Sequence, residues 1–117
     1  MGYDKYGNKK VTLDGIKFDS TKEANRYCEL KLLQRSGAIS NLELQKKFVL
    51  IPAQYDVNNE LVEKSCTYKA DFYYYDNEKK CFICEDVKGY KKSKAYDLFV
   101  IKRKLMLYMH GVRIVEI

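Results

Sequence analysis

A chain of 117 residues has the length of one domain, and 46% hydrophobic against 32% charged residues makes it globular rather than disordered. The 22 Lys and Arg outweigh 16 Asp and Glu to give a net charge of +6, which favours a polyanionic partner. No apolar run is long enough to span a membrane and the opening MGYDKYGNKK lacks the apolar stretch of a signal peptide, so the expectation is a cytoplasmic, intracellular protein with reduced thiols.

Residues 1–10 read as an N-terminal arm, and the rest of the chain as one domain. Val11 to Leu13 and Ile16 to Phe18 flank Asp14-Gly15, a two-residue hairpin signal. Ser20-Thr21-Lys22-Glu23 matches the S/T-x-x-E capping box and predicts a helix running to about Ser36 and stopped by Gly37. Ile39 to Leu44 and Phe48 to Ile51 are strand-like, with Gln45 at the end of the first and Pro52 closing the second. Ala53 to Lys64 is polar, with an Asn58-Asn59 turn at a hairpin tip. Cys66 to Tyr75 and Cys81 to Lys88 read as strands on either side of Asp76-Asn77-Glu78-Lys79-Lys80. A basic loop, Gly89 to Ser93, precedes a helix over Lys94 to Met109 that ends at His110-Gly111, and Val112 to Ile117 forms a last strand. The pattern predicts an α/β or α+β domain with a mixed central β-sheet flanked by helices.

The chemistry concentrates in YKADF (68–72) and CEDVKG (84–89). If the two strands pair antiparallel with Asp76 facing Cys81, counting outward sets Asp71 opposite Asp86, with Cβ atoms roughly 4.5–5.5 Å apart. Two carboxylates so placed repel each other unless a cation lies between them, and Mg²⁺ or Mn²⁺ suits such a donor pair. Lys88, two residues beyond Asp86, shares its face and can orient water or stabilise charge on a phosphate. The Val87 carbonyl is a further oxygen ligand. The competing interpretation makes Asp71, Asp86 and Lys88 surface charges on a solvated face. Against it stand Tyr73, Phe82 and Cys84 on that face, which read as buried.

Glu23 lies within the apolar arc of its helix, among Ala24, Tyr27, Cys28 and Leu30. It either points toward the metal or only completes the capping box. Gln45 is a candidate for the same cleft. Lys102, between Leu98 and Leu105 on the apolar stripe of the last helix, either reaches a phosphate or snorkels to water. Lys91, Lys92 and Lys94, with Lys88, form either a phosphate-gripping patch or a solvated loop. The 11 Tyr offer rings that can stack on unpaired bases, or simply reflect strand preference. Cys81-x-x-Cys84 invites a zinc reading, but residues three apart in a strand face opposite ways, so no zinc site is expected and the four cysteines read as small buried apolar groups. His110, the single histidine, reads as a helix-end group, and no Ser/His/Asp triad assembles around it.

The segments FDSTKEANRY (18–27), GAISNLELQ (37–45), YKADF (68–72) and EDVKG (85–89) resemble a family of small phage proteins in the PD-(D/E)xK nuclease superfamily, one carried as a domain of unknown function. The order of elements is also similar to archaeal-type Holliday-junction resolvases and transposon-end nucleases. This resemblance implies a restriction-endonuclease-like fold and Mg²⁺-dependent DNA cleavage. It implies Glu23 as the acid of the first helix, Asp71 as the motif aspartate, and Asp86 and Lys88 as the (D/E)-x-K pair. Ala70 stands where the motif has proline, and Glu85 should face away from Asp86. The reading is an endonuclease acting on branched DNA in phage recombination or replication, working as a homodimer. The alternatives are a nuclease on linear or single-stranded DNA, or a non-catalytic nucleic-acid-binding module retaining the fold.

Overall fold

The computed structural model describes residues 10–88 and 93–117. Residues 1–9 of the N-terminal arm and residues 89–92 of the basic loop, Gly89, Lys91 and Lys92 among them, lie outside the described residues. The protein is a mixed α+β fold. A short hairpin, β1 (Val11–Leu13) and β2 (Ile16–Phe18), leads into helix α1 (Thr21–Ser36). Strand β3 (Ile39–Ile51) follows, then a second hairpin, β4 (Gln54–Tyr55) and β5 (Leu61–Glu63). Strands β6 (Cys66–Asp76) and β7 (Cys81–Asp86), helix α2 (Lys94–His110) and strand β8 (Ile114–Glu116) complete the chain. The central sheet has the order β3-β6-β7-β8, antiparallel except for the parallel β7–β8 pair.

Local signals explain the boundaries. Asp14 and Gly15 both have positive φ, 52° and 75°, as a tight hairpin turn requires. Ser20 caps α1 through its hydroxyl, which accepts from the Glu23 N–H at 3.1 Å, and Gly37 ends the helix in the left-handed region at φ 87°. Ser93 and Gly111 do the same for α2. The Asp76 carboxylate accepts from the Glu78 and Lys79 N–H groups, tying the turn that fixes the β6–β7 register.

The strand predicted to break at Gln45 does not break. β3 runs unbroken for 13 residues, pairing with β6 from Ile39↔Asp76 to Ile51↔Cys66. It accommodates an extra residue between Ser40 and Glu43, and two of its residues, Asn41 and Gln45, adopt left-handed backbone at φ 58° and 55°. Polar residues with short local hydrogen-bonding options tolerate that conformation in mid-strand, so the sequence pattern mimics a strand end.

The sheet carries one core on each face. On one side α1 packs Ala24, Tyr27 and Leu30 against Ile39, Phe72 and Tyr74. On the other α2 packs Phe99 and Met106 against Leu50, Tyr68, Ala70, Cys84 and Ile114. Regular alternation would keep Tyr68, Ala70, Phe72 and Tyr74 on one face. Instead the first two join the α2 core and the last two the α1 core, so the phase of β6 changes at Asp71. β3 changes phase at the matching place: Leu44 packs in the α1 core, while Phe48 and Leu50 belong to the α2 core.

Three expectations about burial need correction. Phe82 is half exposed, because β7 begins at the sheet's open end, where its ring stacks on Tyr73 at 5.1 Å. Leu98 is likewise exposed, the buried stripe of α2 being carried by Phe99 and Met106. Of the four free cysteines only Cys84 is buried; Cys66 is intermediate, and Cys28 and Cys81 are exposed. Cys81 and Cys84 do diverge, as strand geometry demands.

Candidate active site

The hairpin pairing has the predicted register, with Asp76↔Cys81 and Phe72↔Glu85 at its two ends. Asp71 and Asp86 come next in that register. There the ladder stops, because the Val87 N–H turns to the Asp71 carboxylate and donates to it at 2.8 Å. Past this point Lys88 is held by the C-terminal segment: its N–H donates to the Ile117 carbonyl at 3.2 Å, and the Ile117 N–H donates to the Asp86 carbonyl at 2.9 Å. The Lys22 amine of α1 adds a bond to the Lys88 carbonyl at 3.0 Å. The backbone of Asp86 to Lys88 is thus clamped from both sides although it lies at a strand end.

Asp19, Ser20, Glu23, Asp71, Asp86, Val87 and Lys88 line one open polar cleft of about 320 Å³. Glu23, Asp71, Asp86, Val87 and Lys88, all selected from the sequence, are therefore together. Glu23 reaches the cleft from the capped first turn of α1. Its N–H takes the Ser20 cap, while its carboxylate, 5% exposed, accepts from the Asp19 N–H at 3.2 Å and lines the cleft. Gln45 joins them from the middle of β3, its amide 3.4 Å from both the Glu23 and the Asp71 carboxylates. Its left-handed backbone lies where β3 changes phase, facing the phase change of β6.

The electrostatics follow from four acids, Asp19, Glu23, Asp71 and Asp86, around one hollow. Burial, reinforced by the Asp86 and Glu23 charges, pushes the Asp71 carboxyl up to about 7, with the Val87 N–H opposing. Glu23 is also raised, first by burial, and the Gln45 amide lies between the two carboxyls. Asp86 has other partners: its Oδ1 pairs with the Lys88 amine at 2.8 Å, and its Oδ2 accepts from the buried Tyr68 hydroxyl at 2.6 Å. The Lys88 amine also sits 3.6 Å from the centre of the Phe99 ring. Among the described residues no three His, Cys, Asp or Glu side chains are disposed as a ready coordination group. With these oxygens engaged by Tyr68, Lys88, Gln45 and the Val87 N–H, ligation would require some of the bonds to be exchanged.

Asp86 and Lys88 also border a second groove of about 280 Å³, lined by Tyr68, Lys69 and, from α2, Ala95, Leu98, Phe99 and Lys102. Lys102 therefore faces a groove that shares Asp86 and Lys88 with the cleft. Lys94 is exposed at the start of α2 and lines neither hollow. His110 lies elsewhere, its ring nitrogen 2.7 Å from the Val49 carbonyl, fastening α2 to β3.

Sequence reasoning missed Tyr68, Lys22 and Lys69. Tyr68 reads as an ordinary core tyrosine, and only the phase change that turns it toward α2 lets it meet Asp86. It also missed the partner of Glu85. Facing away from Asp86 as expected, Glu85 is 2% exposed and accepts two bonds from Arg26, at 2.8 and 2.6 Å, and one from the Tyr74 hydroxyl. This ion pair joins α1 to β7 one residue from the cleft.

No helix among the described residues is long and apolar enough to cross a membrane. No curated protein and no solved structure matches the chain. A family model described as "Protein of unknown function (DUF1064)" matches residues 3–114, nearly the whole sequence, and the chain belongs to that family.

Proposed function

We propose that the protein is a divalent-metal-dependent endonuclease of the PD-(D/E)xK type that hydrolyses phosphodiester bonds in DNA. The observation that carries the reading is the shared cleft of Glu23, Asp71, Asp86, Lys88 and the Val87 backbone. The donor set fits Mg²⁺ or Mn²⁺: hard carboxylate oxygens with a backbone carbonyl adjacent, in a hollow open to water. Its charge fits too, since burial and the neighbouring acids disfavour the charged form of Asp71, a penalty that a cation would relieve. When bound, the ion supplies charge neutralisation and Lewis acidity.

The chain's own residues do the rest. Glu23, Asp71 and Asp86 hold the ion, and Gln45 spans Glu23 and Asp71 to orient their carboxylates. Lys88 supplies the positive charge that meets a phosphate and orients the attacking water. Its contact with Phe99 keeps the amine at the boundary of cleft and groove, where a backbone passing from one to the other would run. Lys69 and Lys102, which line the groove, grip the neighbouring phosphates. Branched DNA is the substrate we favour. Cutting two strands symmetrically calls for a two-fold dimer.

The test is incubation with labelled four-way junction, flap, linear duplex and single-stranded DNA in Mg²⁺, Mn²⁺ or EDTA. Cleavage should need the metal and favour the junction, and Lys88→Ala should lower the rate by about 10²–10³-fold. Cleavage by Lys88→Ala at the parental rate would remove Lys88 from the mechanism, and DNA binding without cleavage in any metal would leave a binding module.

A further inference from the structure

The β4–β5 hairpin has no core of its own. Both strands are exposed along their whole length, and an isolated two-stranded ribbon is only marginally stable in water. Yet it carries four large apolar side chains more than half exposed: Tyr55 59%, Leu61 52%, Val62 58% and, at the tip, Val57 100%. Exposed apolar groups concentrated on one projecting element mark a surface that another surface covers. The hairpin is also acidic in a basic protein, with Asp56, Glu60 and Glu63 against Lys64. That sign turns it away from DNA and toward a basic partner.

A basic hollow of matching character lies between α2 and β8. It has a volume of about 400 Å³ and is lined by Arg103, Lys104 and Arg113, by Leu107 and Ile114, and by Glu116. Glu116 is committed inside the molecule, accepting from the Tyr96 hydroxyl and the Arg103 guanidinium at 3.0 Å each. The lining joins three cations to exposed Leu107 and buried Ile114, opposite in charge to the acidic, apolar hairpin. We infer that the hairpin of one protomer seats in the α2–β8 groove of a second copy, and reciprocally, so that two such contacts close a two-fold dimer. Glu60 and Glu63 meet Lys104 and Arg113, and the apolar tip covers Leu107. The inference goes beyond the nuclease reading and does not depend on it.

The charge pattern gives a test that repacking alone cannot imitate. Glu60→Lys with Glu63→Lys makes the hairpin basic; Lys104→Glu with Arg113→Glu makes the groove acidic. All four side chains are exposed, so both variants should keep the parental circular dichroism. By sedimentation at tens of micromolar the parent should be a dimer, each variant alone a monomer, and an equimolar mixture a dimer of one of each. In the mixture both contacts regain opposite charge. A monomeric parent, variants that still dimerise alone, or a mixture that stays monomeric would each overturn the assignment. A groove variant that loses only affinity for duplex DNA, with its mass unchanged, would make the hollow a nucleic-acid contact instead.

Discussion

The Tyr68 hydroxyl does one polar job, donating to Asp86 from within the α2 core. Burial and the Asp86 charge raise its pKa, so it stays a donor at any working pH. It therefore leaves Asp86 one oxygen pinned and one facing Lys88. Tyr68→Phe keeps the ring and should fold normally, while weakening Mn²⁺ affinity by about 10–100-fold in calorimetry without DNA. Unchanged affinity would confine Tyr68 to packing. Asp71 bears on stability with a definite sign. Its carboxyl titrates at about 7 in the fold and near 3.9 when unfolded, so the folded state binds the proton more tightly. The stabilisation this gives is complete below pH ~4 and is lost as pH rises through ~7. In EDTA, Asp71→Asn should therefore gain about 1–3 kcal/mol over the parent at pH 8 and little at pH 5. Equal gains at both pH values in urea unfolding would show that burial of the Asp71 charge is not the cause.

At the level of elements, α1 is held to β7 beside the cleft by the Arg26–Glu85 pair. Arg26 lies about one turn beyond Glu23, so whatever anchors Arg26 to β7 also fixes the distance from Glu23 to Asp86. Arg26→Met would leave the Glu85 carboxylate buried with only the Tyr74 hydroxyl, a loss of about 3–5 kcal/mol. Adding Glu85→Gln removes the stranded charge and should restore much of that loss. If the double variant is no more stable than the single one, the cost is packing rather than charge. β3 supplies its part by a different device. A regular strand would carry Gln45 past the site, whereas its left-handed backbone occurs where both β3 and β6 switch faces.

For the molecule as a whole, the legible features were those written in short-range code. The Asp14-Gly15 turn, the Ser20 cap, the Gly37 and Gly111 stops and the β6–β7 register each depend on a few adjacent residues. The register alone brings Asp71 beside Asp86 and Lys88, and the apolar arc of α1 turns Glu23 inward. Features that depend on the sheet as a three-dimensional object were not legible. Alternation counted from Cys66 cannot foresee that β6 changes faces at Asp71, and so conceals the meeting of Tyr68 with Asp86. The continuity of β3 was hidden for the same reason: left-handed residues at Asn41 and Gln45 resemble a strand's end until the partner strand is known.

The four thiols sit at graded depths, and the deepest belongs to the strand that carries Asp86. Cys28 and Cys81 meet any oxidant or soft metal at the surface. Burial and the neighbouring acids push the Cys84 thiol up to about 12, so it is both shielded and unreactive while α2 covers it. Surface sulfur can thus be consumed without disturbing the cleft, whereas chemistry at Cys84 demands that the helix layer lift away. The protein carries an internal seal whose breaking coincides with loss of the site.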